Sequence, residues 1–181
     1  MANPFLYSQK LLIGNNFVVS QTYSKEIALF QAKSFLITNQ FVLSSEIVKF
    51  EAMSLAADIA GELTTLAYKC ESQQKEGLIL GFYGTYWNDA GVVYQGYGFK
   101  NFDKEHAVEF LDVIQKAVDG NSNYLQHDWD NNFCFKYDDV SILVSYSSLG
   151  YEIRLMWNDF DSDWSKIAFD RTKRMFERKI K

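Results

Sequence analysis

Between residues 45 and 74 apolar side chains recur at helical spacing. Val48, Ala52, Leu55, Ile59, Leu63, Leu66 and Cys70 fall on one side, opposite Glu51, Ser54, Asp58, Glu62, Thr65, Lys69 and Ser72. The phase runs through Gly61, so the pattern predicts one helix over 45–74, capped by Ser44 or Ser45. At 1.5 Å per residue it would be about 45 Å long, more than a small domain covers. That length points to a homodimer packed along it.

Before this helix, residues 10–43 read as short strands. Gly14-Asn15-Asn16 separates Leu11–Ile13 from Phe17–Tyr23, and Asn39-Gln40 separates Phe35–Thr38 from Phe41–Leu43. After it, Leu78–Trp87 and Val92–Phe99 form a hairpin around Asn88-Asp89-Ala90-Gly91. With Trp87 opposite Val92, Leu80, Phe82, Tyr86, Val93, Tyr97 and Phe99 make the core face. Tyr83, Thr85, Trp87, Val92 and Tyr94 make the other, with Gly81, Gly96 and Gly98 between them. Glycine weakens a strand unless something approaches the backbone closely. Here a ligand could do so, or the small Ala52/Ala56/Ala60 row of the predicted helix.

A second helix, 103–119, has Asp103 as N-cap, Phe102 and Ala107 as a hydrophobic staple, and Gly120 as a left-handed stop. Its buried stripe is Ala107, Phe110, Leu111, Ile114, Ala117 and Val118. Residues 121–132 are a polar loop. A meander of Phe133–Tyr137, Val140–Tyr146 and Tyr151–Trp157 follows. It has Phe133, Phe135, Val140, Ile142, Val144, Ile153, Leu155 and Trp157 on one face. The last helix, about 162–180, carries two apolar stripes, Trp164/Ile167/Ala168/Met175 and Phe169/Phe176/Ile180. The expected fold is therefore α+β, a single domain of mostly antiparallel sheet covered by the long helix and the helices at 103–119 and 162–180.

Composition narrows the class. The 181 residues are 48% hydrophobic and 17% aromatic, enough for a sizeable core and incompatible with a disordered chain. No apolar run approaches the ~20 residues of a membrane span. The opening MANPFLYSQK lacks the basic and apolar regions of a secretory signal. Two cysteines, Cys70 and Cys134, suit a reducing compartment, so a cytoplasmic location and no membrane partner are expected.

Charge is unevenly spread. Residues 171–181 hold six basic groups against Glu177, leaving a net charge of −10 on residues 1–170. The stretch 101–163 has 13 acids against Lys104, Lys116, Lys136 and Arg154. Such a body repels a phosphate backbone, so nucleic acid is excluded as a partner. The helix–three strands–helix order of 103–180 matches that of double-stranded-RNA domains. The final helix, however, opens on Asp159, Asp161 and Asp163 where those domains need cations. The basic tail answers the dipole of its own helix.

Catalytic signatures are sparse. Asp159, Asp161, Asp163 and Asp170 have the spacing of a calcium loop. Trp164 stands where that loop needs glycine and Asp170 where it needs glutamate, so these acids read as helix-capping groups. His106 and His127 are 21 residues apart and show no paired-ligand spacing, so no metal is assigned. Neither a nucleophile elbow nor a phosphate loop is present, and no cofactor is implied. The reading that follows is a non-catalytic interaction or inhibitor-type protein, whose acidic surface suits a basic protein partner. The alternative is a small-molecule-binding protein or enzyme. Its ligand-binding wall would be Tyr83, Thr85, Trp87, Tyr94, Gly96 and Gly98. In that case Asp128 or His127 would supply acid–base chemistry.

Overall fold

The computed structural model describes residues 17–58, 62–87 and 90–180. Two antiparallel sheets and the helices between and around them make an α+β fold. The first sheet has the order β1-β5-β4-β3-β2, from β1 (Phe17–Val19), β2 (Glu51–Asp58), β3 (Leu63–Cys70), β4 (Lys75–Trp87) and β5 (Val93–Asp103). The second runs β6-β7-β8-β9, from β6 (Asn132–Tyr137), β7 (Val140–Ser147), β8 (Gly150–Trp157) and β9 (Phe160–Ser165). Helix α1 (Lys25–Phe35) lies on one face of the first sheet. Helices α2 (Lys104–Gly120) and α4 (Lys166–Ile180) lie between the sheets, and the short α3 (Ser122–His127) touches β7.

The predicted long helix is a hairpin. Residues 45–50 have no regular structure, and β2 and β3 pair from Glu51↔Lys69 to Asp58↔Leu63. Two features imitate a helical period. Leu55 is an extra residue between the pairs Ser54↔Leu66 and Ala56↔Thr65, so Leu55 and Ala56 are buried side by side and the strand alternation slips by one. Strand β3 is covered on both faces, so Leu63, Thr64, Thr65, Leu66, Ala67 and Tyr68 are all buried and no alternation survives. Thr65 closes the bulge. Its Oγ1 accepts from the Ala56 N–H at 3.0 Å and lies 2.9 Å from Thr172 Oγ1 on α4. Glu62 enters β3 with a left-handed φ of 55°. With the helix goes the length argument for a second subunit.

Among the described residues before position 44, only Phe17–Val19 is a strand, pairing Phe17↔Gly98 through Val19↔Gly96, and Phe35–Thr38 is helical; Leu11–Ile13 and Gly14-Asn15-Asn16 lie outside the described residues. Ser24 caps α1 by accepting from the Ile27 N–H at 3.4 Å, and the helix passes into a π turn over Leu36–Gln40. Ala28, Ala32, Phe35 and Leu36 face the sheet. Ile27, Phe30 and Ile37 are exposed on the helix, so apolar residues ring it and hide its period.

The helix over 104–120 follows its pattern closely. Asp103 caps it through the His106 N–H at 2.9 Å, and Phe102 stacks on Phe110 at 4.7 Å. Gly120 is its last helical residue, without a positive φ, and Asn121 Nδ2 donates to Ala117 O instead. The meander also holds, with Phe133↔Val144, Phe135↔Ile142 and Ile142↔Leu155 on the apolar face. It continues into β9, however, so four strands and not three separate α2 from α4. The final helix begins at Lys166 and buries one stripe, Ala168, Phe169, Thr172, Phe176 and Ile180, while Ile167 is exposed. Each half of the chain is thus a four-strand meander followed by a helix, and one apolar cluster runs through both.

Candidate functional site

The long hairpin divides the residues of the predicted aromatic wall between its two faces. Trp87 pairs with Val93, one residue beyond the expected partner, so Tyr83 is opposite Tyr97, Gly84 opposite Gly96 and Thr85 opposite Gln95. A one-residue slip exchanges the faces of one strand. Tyr83, Thr85 and Trp87 therefore hold register positions on one face, while Tyr94, Gly96 and Gly98 belong to the other. The chain itself packs against Tyr83, Gly96 and Gly98, while Thr85 is exposed and Tyr94 half-buried. Tyr83 is 2% exposed, packs on Tyr97 at 4.9 Å and on Tyr23 at 5.7 Å, and donates to Ser20 O at 3.2 Å. A β-carbon on Gly98 would meet the Phe160 ring at 2.5 Å, and one on Gly96 would meet Val18 O at 2.1 Å. The glycines admit Phe160 of β9 and the backbone of β1. No helix row docks there, since Ala52 and Ala56 are on β2.

The acids of the calcium-like spacing are on a strand. Asp161 and Asp163 flank Ser162 on β9, with Asp161 accepting from Arg154 Nε at 2.8 Å and Asp163 3.7 Å from the same atom. They are cross-strand partners of Arg154 and neither cap a helix nor form a loop. Asp170 bonds Lys166 and accepts from Tyr151 Oη at 3.1 Å. Among the described residues no group of three or more His, Cys, Asp or Glu is placed to hold a metal ion. His127 ends α3 and is exposed.

What the fold does assemble is an acidic rim where the start of α2 meets the β6–β7 turn. Asp103, at the α2 N-cap, takes the His106 N–H, and both its oxygens lie within 2.9 Å of His106 Nδ1. An ionised carboxylate only accepts, so Nδ1 carries the proton. These bonds hold the Asp103 carboxyl below its usual range, with the His106 backbone the largest cause, and raise His106 through Asp103. One turn on, Glu109 accepts from Tyr137 Oη at 2.9 Å. Burial, followed by that carboxylate, pushes Tyr137 up to about 12. Lys100, on β5, reaches Asp138 at 2.7 Å and Asp139 at 2.5 Å, and Asp139 also accepts from Trp157 Nε1 at 2.9 Å. Burial opposes the charge of Lys100, but the two aspartates outweigh it and its pKa rises. For Asp139 burial is again the largest cause, and Lys100 and Trp157 overcome it to lower the pKa. Asp138 sits at φ 52°, which lets a two-residue turn join β6 to β7.

Five carboxylates, Asp103, Glu105, Glu109, Asp138 and Asp139, thus share one rim with Lys100 and His106. The acid-rich stretch 101–163 foretold the charge. The grouping depends on bringing residues 100, 103, 109, 138 and 157 together, which no local spacing signals. A second feature is an open groove of about 360 Å³ beside the β2–β3 hairpin, lined by Ile47, Lys49, Phe50, Glu51, Lys69, Glu71 and Ser72. No helix among the described residues is long and apolar enough to cross a membrane. In comparisons, no protein family, no curated protein and no solved structure matches the chain.

Proposed function

We propose that this single-domain chain is a non-catalytic binding protein whose partner is a basic polypeptide, engaged at the acidic rim. The observation that carries the reading is the rim itself. Four of its five carboxylates are fixed by helix capping, a tyrosine hydroxyl and one lysine, Glu105 stands beside them in the first turn of α2, and together they leave a surplus of negative charge. Fixed like charges raise the encounter rate and select partners more than they add affinity. At the same place the Tyr137 hydroxyl is held protonated far above neutral pH, and His106 Nδ1 is committed to its own cap, Asp103. Two free thiols, Cys134 among them exposed, accord with a reducing cytoplasm.

The test is fluorescence anisotropy of a labelled Lys/Arg-rich peptide against the protein at low and raised salt. Binding should weaken with salt and be lost in the charge reversal Glu105→Lys/Glu109→Lys. Absence of binding at low salt would overturn the proposal. The groove at Ile47–Phe50 favours a second reading, a small amphiphilic ligand held between apolar Ile47 and Phe50 and the charges of Lys49 and Lys69. Its volume, about 360 Å³, is at the small end for such sites.

A further inference from the structure

The four sheet edges are not equally protected. On the first sheet, β1 spans Phe17–Val19 among the described residues, and β2 carries the Leu55 bulge and has α4 packed against it. On the second, β9 packs against β4 and α4. Short length, bulges and covering elements are the usual means of stopping strand-to-strand association. Strand β6 has none of them. It is six residues of regular pairing, with no proline or bulge and a single charge, and among the described residues no strand lies on its outer side.

The side chains of β6 are self-complementary about a two-fold axis at Cys134. An antiparallel copy in that register sets Cys134 against Cys134 of the partner subunit on the exposed face. Lys136 then lies opposite the partner's Asn132 and diagonal to the partner's Asp130. Among the described residues Lys136 and Asp130 have no ion-pair partner within the protomer. On the apolar face Phe133 meets the partner's Phe135, twice over. Both rings are only half-buried in one copy, and they stack on each other with centroids 6.3 Å apart. The nearest like charge is Asp138, which leaves the strand with the β6–β7 turn and is held by Lys100.

We propose that β6 is a homodimer interface, joining two copies edge to edge into one eight-stranded antiparallel sheet with Cys134 at the axis. The proposal is independent of the acidic rim and of the peptide it would bind.

Sedimentation and light scattering on the full chain test it, with Cys134→Lys as the disrupting variant. Cys134 is exposed, so that substitution leaves the core untouched while placing two ammonium groups at the axis. The wild type and Cys134→Ser should both have dimer mass, and Cys134→Lys should halve it with an unchanged circular dichroism spectrum. Copper–phenanthroline oxidation should give a covalent dimer from the wild type and none from Cys134→Ser. A wild type that is monomeric at the highest concentration it tolerates overturns the proposal. So does a dimer that Cys134→Lys leaves intact and oxidation does not cross-link.

Discussion

Replacing Gly98 by alanine adds one methyl group at the tightest point between the two sheets. Its carbon would lie 2.5, 2.8 and 3.0 Å from three atoms of the Phe160 ring, all far inside contact distance. The ring has no free direction. Phe160 is 5% exposed and is bounded by Phe17 at 5.7 Å, Trp157 at 6.2 Å and Phe82 at 6.3 Å. Overpacking of this kind costs about 1–3 kcal/mol. Against it stands a gain of roughly 0.5–1 kcal/mol from removing glycine's freedom in the unfolded chain. The net expectation is a loss of roughly 0.5–2 kcal/mol, a fall in Tm of about 1–8 °C for a chain of this size. Thermal unfolding by circular dichroism measures it. Two companions identify the cause. Phe160→Leu in the Gly98→Ala background should recover part of the loss. Gly120→Ala, where nothing lies within 4 Å, should stabilise by up to about 1 kcal/mol. Gly98→Ala as stable as the wild type would refute the argument that Phe160 is what this glycine admits.

Three further outcomes are expected. Thr65→Val keeps the shape of the β2 bulge but removes the acceptor for the Ala56 N–H and the partner of Thr172, so urea unfolding should show a loss of about 1–3 kcal/mol. Tyr97→Phe should cost a similar ~1–3 kcal/mol, because its buried hydroxyl accepts from the Ser24 N–H at 2.8 Å; a loss near zero would mean that the 20–24 segment is held by packing alone. The Asp103–His106 pair has opposite signs on its two limbs. Asp103, lowered in the folded state, contributes above its ordinary value of 3.8 and loses that contribution as pH falls through its folded pKa. His106, raised, contributes below 6.5 and loses it as pH rises through its folded pKa. The pair therefore stabilises most between about pH 4 and 6.5. Asp103→Asn should bring the His106 pKa, read by NMR titration, back toward 6.5, and an unchanged pKa would show that the imidazole is not held there.

Where the sequence was legible, one face of an element was wet. Asp103 followed by Ala107, Phe110, Leu111, Ile114 and Val118 located α2, and the alternation of Phe133, Phe135, Ile142, Val144, Ile153 and Leu155 located β6 to β8. Where both faces were covered, periodicity failed. Strand β3 is buried on both sides, and the Leu55 bulge breaks β2. Helix α1 failed the opposite way, since Ile27 and Phe30 are apolar and exposed. Strand β9 did carry a signal. Asn158-Asp159 is a two-residue turn between Trp157 and Phe160, and Phe160, Ser162 and Trp164 then alternate inward, but the aspartates between them read as caps of the final helix. A single residue of hairpin register divides the expected ligand wall between two faces. The acidic rim was visible only as a charge surplus, because its members span residues 100 to 157 and are gathered by contacts of β5 and α2 with Tyr137–Asp139.

The most direct test of the account is an NMR titration of the isotope-labelled full chain with a Lys/Arg-rich peptide, followed on assigned backbone amides. The account predicts salt-sensitive shifts confined to Asp103–Glu109 and Tyr137–Asp139. Shifts gathered instead at Ile47–Glu51 and Lys69–Ser72, or none anywhere, would contradict it.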